Sequence, residues 1–193
     1  HNFVVNVTST AEGAVTLDPA KLNDVDKLSI STSTNALITA DASGFTSLTG
    51  SGSLSIAEDS TLSLSEANAK LLETKFAGAG KLVISGLTNS VDLSALPSSL
   101  NVQGTLVDQS GNALTIGDAK LSAVDELTVL GSDVLTISSA SSADVSQLKK
   151  VTLNDGASLI IDESAKVSNL ESILGDSGST NSVSTTARPT SDT

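Results

Sequence analysis

The sequence predicts a mainly β fold, a parallel β-solenoid of about six to seven coils of about 22–25 residues, each with two short strands and a short helical or 3₁₀ turn. Three observations predict it. The decapeptide KLNDVDKLSI at 21–30 returns as KLSAVDELTV at 120–129, with Leu22, Val25, Leu28 and Ile30 falling on Leu121, Val124, Leu127 and Val129 at one constant offset. A second apolar alternation of period two follows each such strand, as in Leu135 and Ile137 after Val129 or Leu159 and Ile161 after Leu153. Finally, the apolar residues are almost all Leu, Val, Ile and Ala, with 3 Phe and no Trp, Tyr or Met. Layers of aliphatic side chains are the packing that such a composition supports.

The elements follow in chain order. Residues 3–7 (FVVNV) and 14–17 (AVTL) read as strands that close or continue the stack. The coils then fall at approximately 22–38, 45–64, 72–93, 96–116, 121–137 and 145–161, with a partial one from 167. Val145, Leu148, Val151 and Leu153 repeat the spacing of Leu121, Val124, Leu127 and Val129, and Val167, Leu170 and Ile173 begin it again. Apolar residues three apart before each first strand are one face of a short helical or 3₁₀ turn. Gly131-Ser132-Asp133 and Asn154-Asp155-Gly156 are corner sequences between the two strands. The stretch 66–112 is irregular, with Pro97 and the DQSGN turn at 108–112 marking a bulge or an inserted hairpin. A helical turn and two short strands cannot bury their apolar side alone, so the units must stack. The domain so defined is 1–175, and 176–193, DSGSTNSVSTTARPTSDT, reads as a Ser/Thr-rich polar tail or linker.

Composition narrows the function. With 38% hydrophobic residues the chain has the means to bury a core. The formal charge of -12 repels phosphate backbones and anionic lipid surfaces, so no nucleic-acid partner is expected. No run approaches the roughly 18 apolar residues of a membrane helix, so no membrane insertion is expected. The absence of Cys excludes disulfides, a thiol nucleophile and Cys-ligated metal. An extracellular or cell-surface protein that lacks disulfides is expected to be of bacterial type.

Chemistry-bearing residues are sparse. The single histidine is His1 and the single arginine is Arg188, so neither a Ser-His-Asp triad nor a sugar-processing groove is expected. The adjacent acids Glu58-Asp59, Asp125-Glu126 and Asp162-Glu163 would point to opposite faces of a strand and share no site. No catalytic or cofactor-binding residue is assigned, and the expectation is that the chain is not an enzyme. Calcium is the candidate cation, since stacking could align Asp18, Asp41, Asp118 and Glu163 in a column. These acids, with Glu66, also stand where a helix cap or first-turn charge belongs, which is the reading favoured over metal binding. Asp108-x-Ser-Gly-Asn112 is an ordinary β-turn sequence as much as an oxygen-ligand loop. Irregular Thr positions, including STST at 31–34, argue against an ice-binding face, and Asn6-Val-Thr8 is the one glycosylation-type acceptor.

A chain without Cys or Met, acidic, rich in Ser, Thr, Ala, Val and Leu, with β-rich repeats over 15–175, resembles the repeat regions of bacterial surface-layer proteins and of large adhesins exported by type I systems. The resemblance implies a structural, self-assembling surface module, a surface-layer lattice unit or a fibre segment. The alternative is an adhesin segment that binds a cell-surface or polysaccharide ligand through the irregular coils. The calcium-binding nonapeptide G-G-x-G-x-D is absent, so that family's calcium ligands transfer to no residue here. A looser similarity to leucine-rich repeats lacks their asparagine ladder.

Overall fold

The computed structural model describes residues 4–9, 15–18, 27–32, 35–38, 53–88, 91–107, 113–116, 120–131, 133–137, 145–162, 167–176 and 180–186. By packing, the chain divides into two units, His1–Ser85 with Leu93–Gln103, and Gly86–Asp92 with Gly104–Thr193. Both are mainly β, with parallel ladders in which each strand lies on the strand one coil away.

In the first unit, one sheet runs in the order β1 (Val4–Ser9), β3 (Lys27–Thr32), β5 (Ser53–Ile56) and β7 (Phe76–Gly78). A second ladder runs β2 (Val15–Leu17), β4 (Asn35–Ile38), β6 (Thr61–Ser65) and β8 (Lys81–Leu87). Every pairing is parallel and in register, so each core position lies beside its counterpart one coil away. Leu54 sits opposite Phe76, Leu62 opposite Leu82 and Leu64 opposite Ile84, all buried. Two strands joined by a tight corner recur. Between β5 and β6 the corner closes with Ser60 N–H donating to the Ala57 carbonyl at 2.9 Å. The Ser60 carbonyl then accepts from Lys81 N–H one coil on, also at 2.9 Å. Gly78 has φ +101, and a Cβ there would lie 2.1 Å from the Ile56 carbonyl oxygen. Only glycine permits that approach.

The helix α1 (Glu66–Leu72) is the one α-helix among the described residues. Ser65 caps it, its hydroxyl accepting from Asn68 N–H at 3.4 Å, with Glu66 in the first turn. The expected acid is therefore a first-turn charge here, and the cap is the serine before it.

After β9 (Asn101–Leu106), the second unit holds β10 (Ala113–Ile116), β12 (Val134–Ile137), β14 (Ser158–Asp162) and β16 (Ser182–Thr186) in one sheet, and β11 (Glu126–Val129), β13 (Lys150–Leu153) and β15 (Ser172–Gly175) in another ladder. Leu127, Val151 and Ile173 form one column, and Leu135, Leu159 and Val183 another. The apolar pairs three apart are the two ends of hydrogen-bonded turns: Val124 N–H donates to Leu121 at 2.9 Å, Leu148 to Val145 at 3.0 Å and Leu170 to Val167 at 3.0 Å. No 3₁₀ helix stands before these strands among the described residues, and these single i→i+3 bonds close β-turns. They bury Leu121, Val124, Val145 and Leu148 under the strands.

The result is the predicted solenoid, with two corrections. Among the described residues about five turns, about 22 residues apart, account for it, fewer than the six to seven expected. The turns that can be followed nearly throughout, from strand through corner to strand, lie at 53–65, 76–87, 126–137, 150–162 and 172–186. The second correction concerns 176–193, read as tail or linker. Within it, β16 pairs in parallel with β14 from Ser158↔Ser182 to Asp162↔Thr186, so the ladder continues past 175. Pro97 also has a simple place, opening a turn in which Leu100 N–H donates to its carbonyl at 3.2 Å. The 108–112 turn lies outside the described residues.

Candidate functional site

The charged residues of the second unit are arranged by the ladder itself. Successive coils place residue i above residue i+24, and this brings Lys149 to Asp125 at 2.7 Å and Lys150 to Glu126 at 3.1 Å. The adjacent acids Asp125 and Glu126 thus engage different cations, as expected of neighbours on a strand. The Lys149 ammonium is held above the usual lysine range, first by its hydrogen bond to Asp125, then by that carboxylate's charge, with Glu171 adding to it against a small desolvation effect. Asp125, Lys149 and Glu171 therefore alternate in sign over three coils. Lys120 and Asp92 make a further pair at 3.0 Å across an isolated parallel bridge. Such exposed pairs contribute little to stability, because solvent screens them.

The remaining acids are dispersed. Glu58 and Asp59 are exposed in the corner between β5 and β6. Asp162 ends β14, while Glu163 lies outside the described residues. Of the proposed calcium column only Asp18, half-buried after β2, is described; Asp41, Asp118 and Glu163 are not. His1, Arg188 and the 108–112 loop are likewise outside them. Asn6 is exposed on β1, with Thr8 two residues on. Ser31 and Thr32 end β3, and the other two residues of STST lie outside the description. Among the described residues no three His, Cys, Asp or Glu side chains come together as a metal site, and no helix is long and apolar enough to cross a membrane.

Two features of the last coil were not anticipated. The first is a polar corner. Asp155 and Gly156 have φ of 55 and 88, which turns their N–H groups towards the next coil. There Asp176 Oδ2 accepts from Asp155 N–H at 3.3 Å and Asn181 Oδ1 accepts from Gly156 N–H at 3.1 Å. Asn181 Nδ2 donates back to Asp176 Oδ1 at 2.7 Å. Gly175 makes room, since a Cβ there would stand 2.8 Å from Asn181 Nδ2. The second feature is apolar. Ile173, Leu174 and Val183 are 36%, 47% and 50% exposed, three of the four large exposed hydrophobic residues described, the other being Leu71 on α1. The signal in the sequence was the spacing: Ser182 follows Ser158 by the same 24 residues that separate Ser158 from Val134.

No family model matches this chain, and no curated protein and no solved structure matches it either.

Proposed function

We propose that the chain is a structural, self-assembling module of an extracellular or cell-surface protein, a surface-layer lattice subunit or a segment of a fibre. The observation that supports this reading is the register of the ladders: each coil repeats the aliphatic positions of its neighbour, so every coil is a template for the next. β1 and β2 at the start of their ladders, and β15 and β16 at the end of theirs, have a neighbouring strand on one side only among the described residues. A fold of this kind acts by geometry, through stiff aliphatic layers and edges that accept further strands. The reading gives the module no catalytic role. Acidic surfaces bridged by calcium are part of the proposal, with Asp18, Asp41, Asp118 and Glu163 as the acids to test.

Light scattering and electron microscopy across protein concentration, with calcium and then with chelator, test it. Ordered sheets or filaments are expected, and reversal by chelator would place calcium in the contacts. A chain that stays monomeric at every concentration, with or without calcium, overturns the reading; capture of a cell-surface polysaccharide by that monomer would favour the adhesin segment instead.

A further inference from the structure

Among the described residues the last coil has no further coil stacked on it. Val151 and Leu159 are fully buried, and the residues one coil on in the same columns, Ile173 and Val183, are 36% and 50% exposed. Leu174 is a leucine at a position that in the preceding coil holds the half-buried Thr152. β15 (SILG) and β16 (SVSTT) are open together, and neither carries a charge, a proline or a residue that would block a further strand. Exposed strand edges in proteins are ordinarily defended by such devices. Among the described residues these two edges carry no charge or proline to defend them.

We propose that this edge seats the first coil of a second copy of the chain, so that copies join head to tail. The inference rests on the self-assembly reading and names its contact. A parallel ladder is completed only by a strand arriving in the same direction, and a coil with two open strands needs two strands joined by a short corner. The chain carries that pair. β1 (VVNVTS) and β2 (VTL) are each at the end of their ladder, uncharged and free of proline, and separated only by residues 10–14. Val5 and Val7 on β1 and Val15 on β2 are half-buried, which leaves aliphatic surface to cover Ile173 and Val183. Because the two joined surfaces differ, the contact is heterologous, and repeated from copy to copy it extends into a filament unless its rotation closes a ring. The copies carry a formal charge of -12 each, so their long-range repulsion opposes the contact until salt screens it. Sodium chloride alone therefore promotes growth, which separates this contact from a calcium bridge.

The test uses the full chain with Ile173→Lys and Val183→Lys, and Leu71→Lys as an exposed apolar control away from the edge. Circular dichroism and thermal melts establish that each variant keeps the β fold. The concentration at which half of the protein assembles is expected to rise about tenfold or more for the edge variants, since each buries an unpaired charge at the contact, and to stay unchanged for Leu71→Lys. A substoichiometric amount of folded Val183→Lys protein, whose β1–β2 edge is intact, is expected to shorten wild-type filaments by capping their growing end. Edge variants that assemble like wild type overturn the head-to-tail contact while leaving self-assembly standing. Assembly that stops at a dimer overturns it in favour of a two-fold contact. A wild-type chain that never assembles overturns both the contact and the reading on which it rests.

Discussion

The coil at 150–162 and the coil at 172–186 are built alike and end differently. Each opens with a strand on the same ladder, turns a polar corner, and returns through a second strand 24 residues after its predecessor. In the first, Val151, Leu153 and Leu159 are buried; in the second, Ile173, Leu174 and Val183 are exposed. In the columns they share, Val151 with Ile173 and Leu159 with Val183, the side chains are alike in chemistry. Among the described residues one coil has a coil on each side and the other has one, so in these columns burial follows stacking.

That comparison can be broken by paired substitutions. The largest difference is expected between glycines. Gly78→Ala puts a Cβ 2.1 Å from a backbone oxygen at φ +101, and its cost is on the order of 3 kcal/mol in thermal or denaturant unfolding. Gly175→Ala meets only the end of the Asn181 side chain, which can turn away, and should cost about 1 kcal/mol. Equal losses would mean that the last coil is as tightly determined as the interior.

Valines give the next contrast. Val151→Ala removes fully buried methyl groups and should lose about 1.5–3 kcal/mol, whereas Val183→Ala, half exposed, should lose about 0.5 kcal/mol in the monomer. If assembly covers Val183, the two losses should converge at concentrations where the protein is assembled.

Asn181→Ala sharpens the role of the polar corner. It removes the acceptor of Gly156 N–H, and a loss of about 1 kcal/mol is expected. The informative readout is local: amide exchange at Gly156 should accelerate well before exchange in β11 and β12 does. Uniform exchange would show that the last two coils open as one.

The smallest effect is alkaline. Lys149 has a raised folded-state value, so its contribution is fully present below the ordinary lysine value of about 10.4 and is lost as pH climbs through the raised one. Lys149→Met should flatten the stability slope in that alkaline window alone. Added salt should diminish the difference between the two proteins, because the lysine is half exposed.

Much of this was legible in the residues. The offsets between Leu121, Val145 and Val167 fixed the coil spacing, and the doublets Leu135/Ile137 and Leu159/Ile161 fixed the second strand, because an in-register parallel ladder demands the same apolar position in every coil. β16 was hidden because Val183 is its only large apolar residue, so alternation alone could not distinguish Ser-Val-Ser-Thr-Thr from linker. The corner at Asp176 and Asn181 was hidden for a related reason. Its partners are backbone N–H groups of another coil, and those leave no mark on side-chain pattern.

By itself, then, the sequence determined the class of fold, the aliphatic core, the period and the acid–base imbalance, all of which follow from local patterning and composition. Only the tertiary structure decided which of the repeated positions are covered, where the ladders stop, and that Asp125 and Glu126 meet Lys149 and Lys150 from the next coil. The physical reason is that a solenoid coil lacks a core of its own: its residues become buried, paired or exposed only when the neighbouring coil is, or is not, in place.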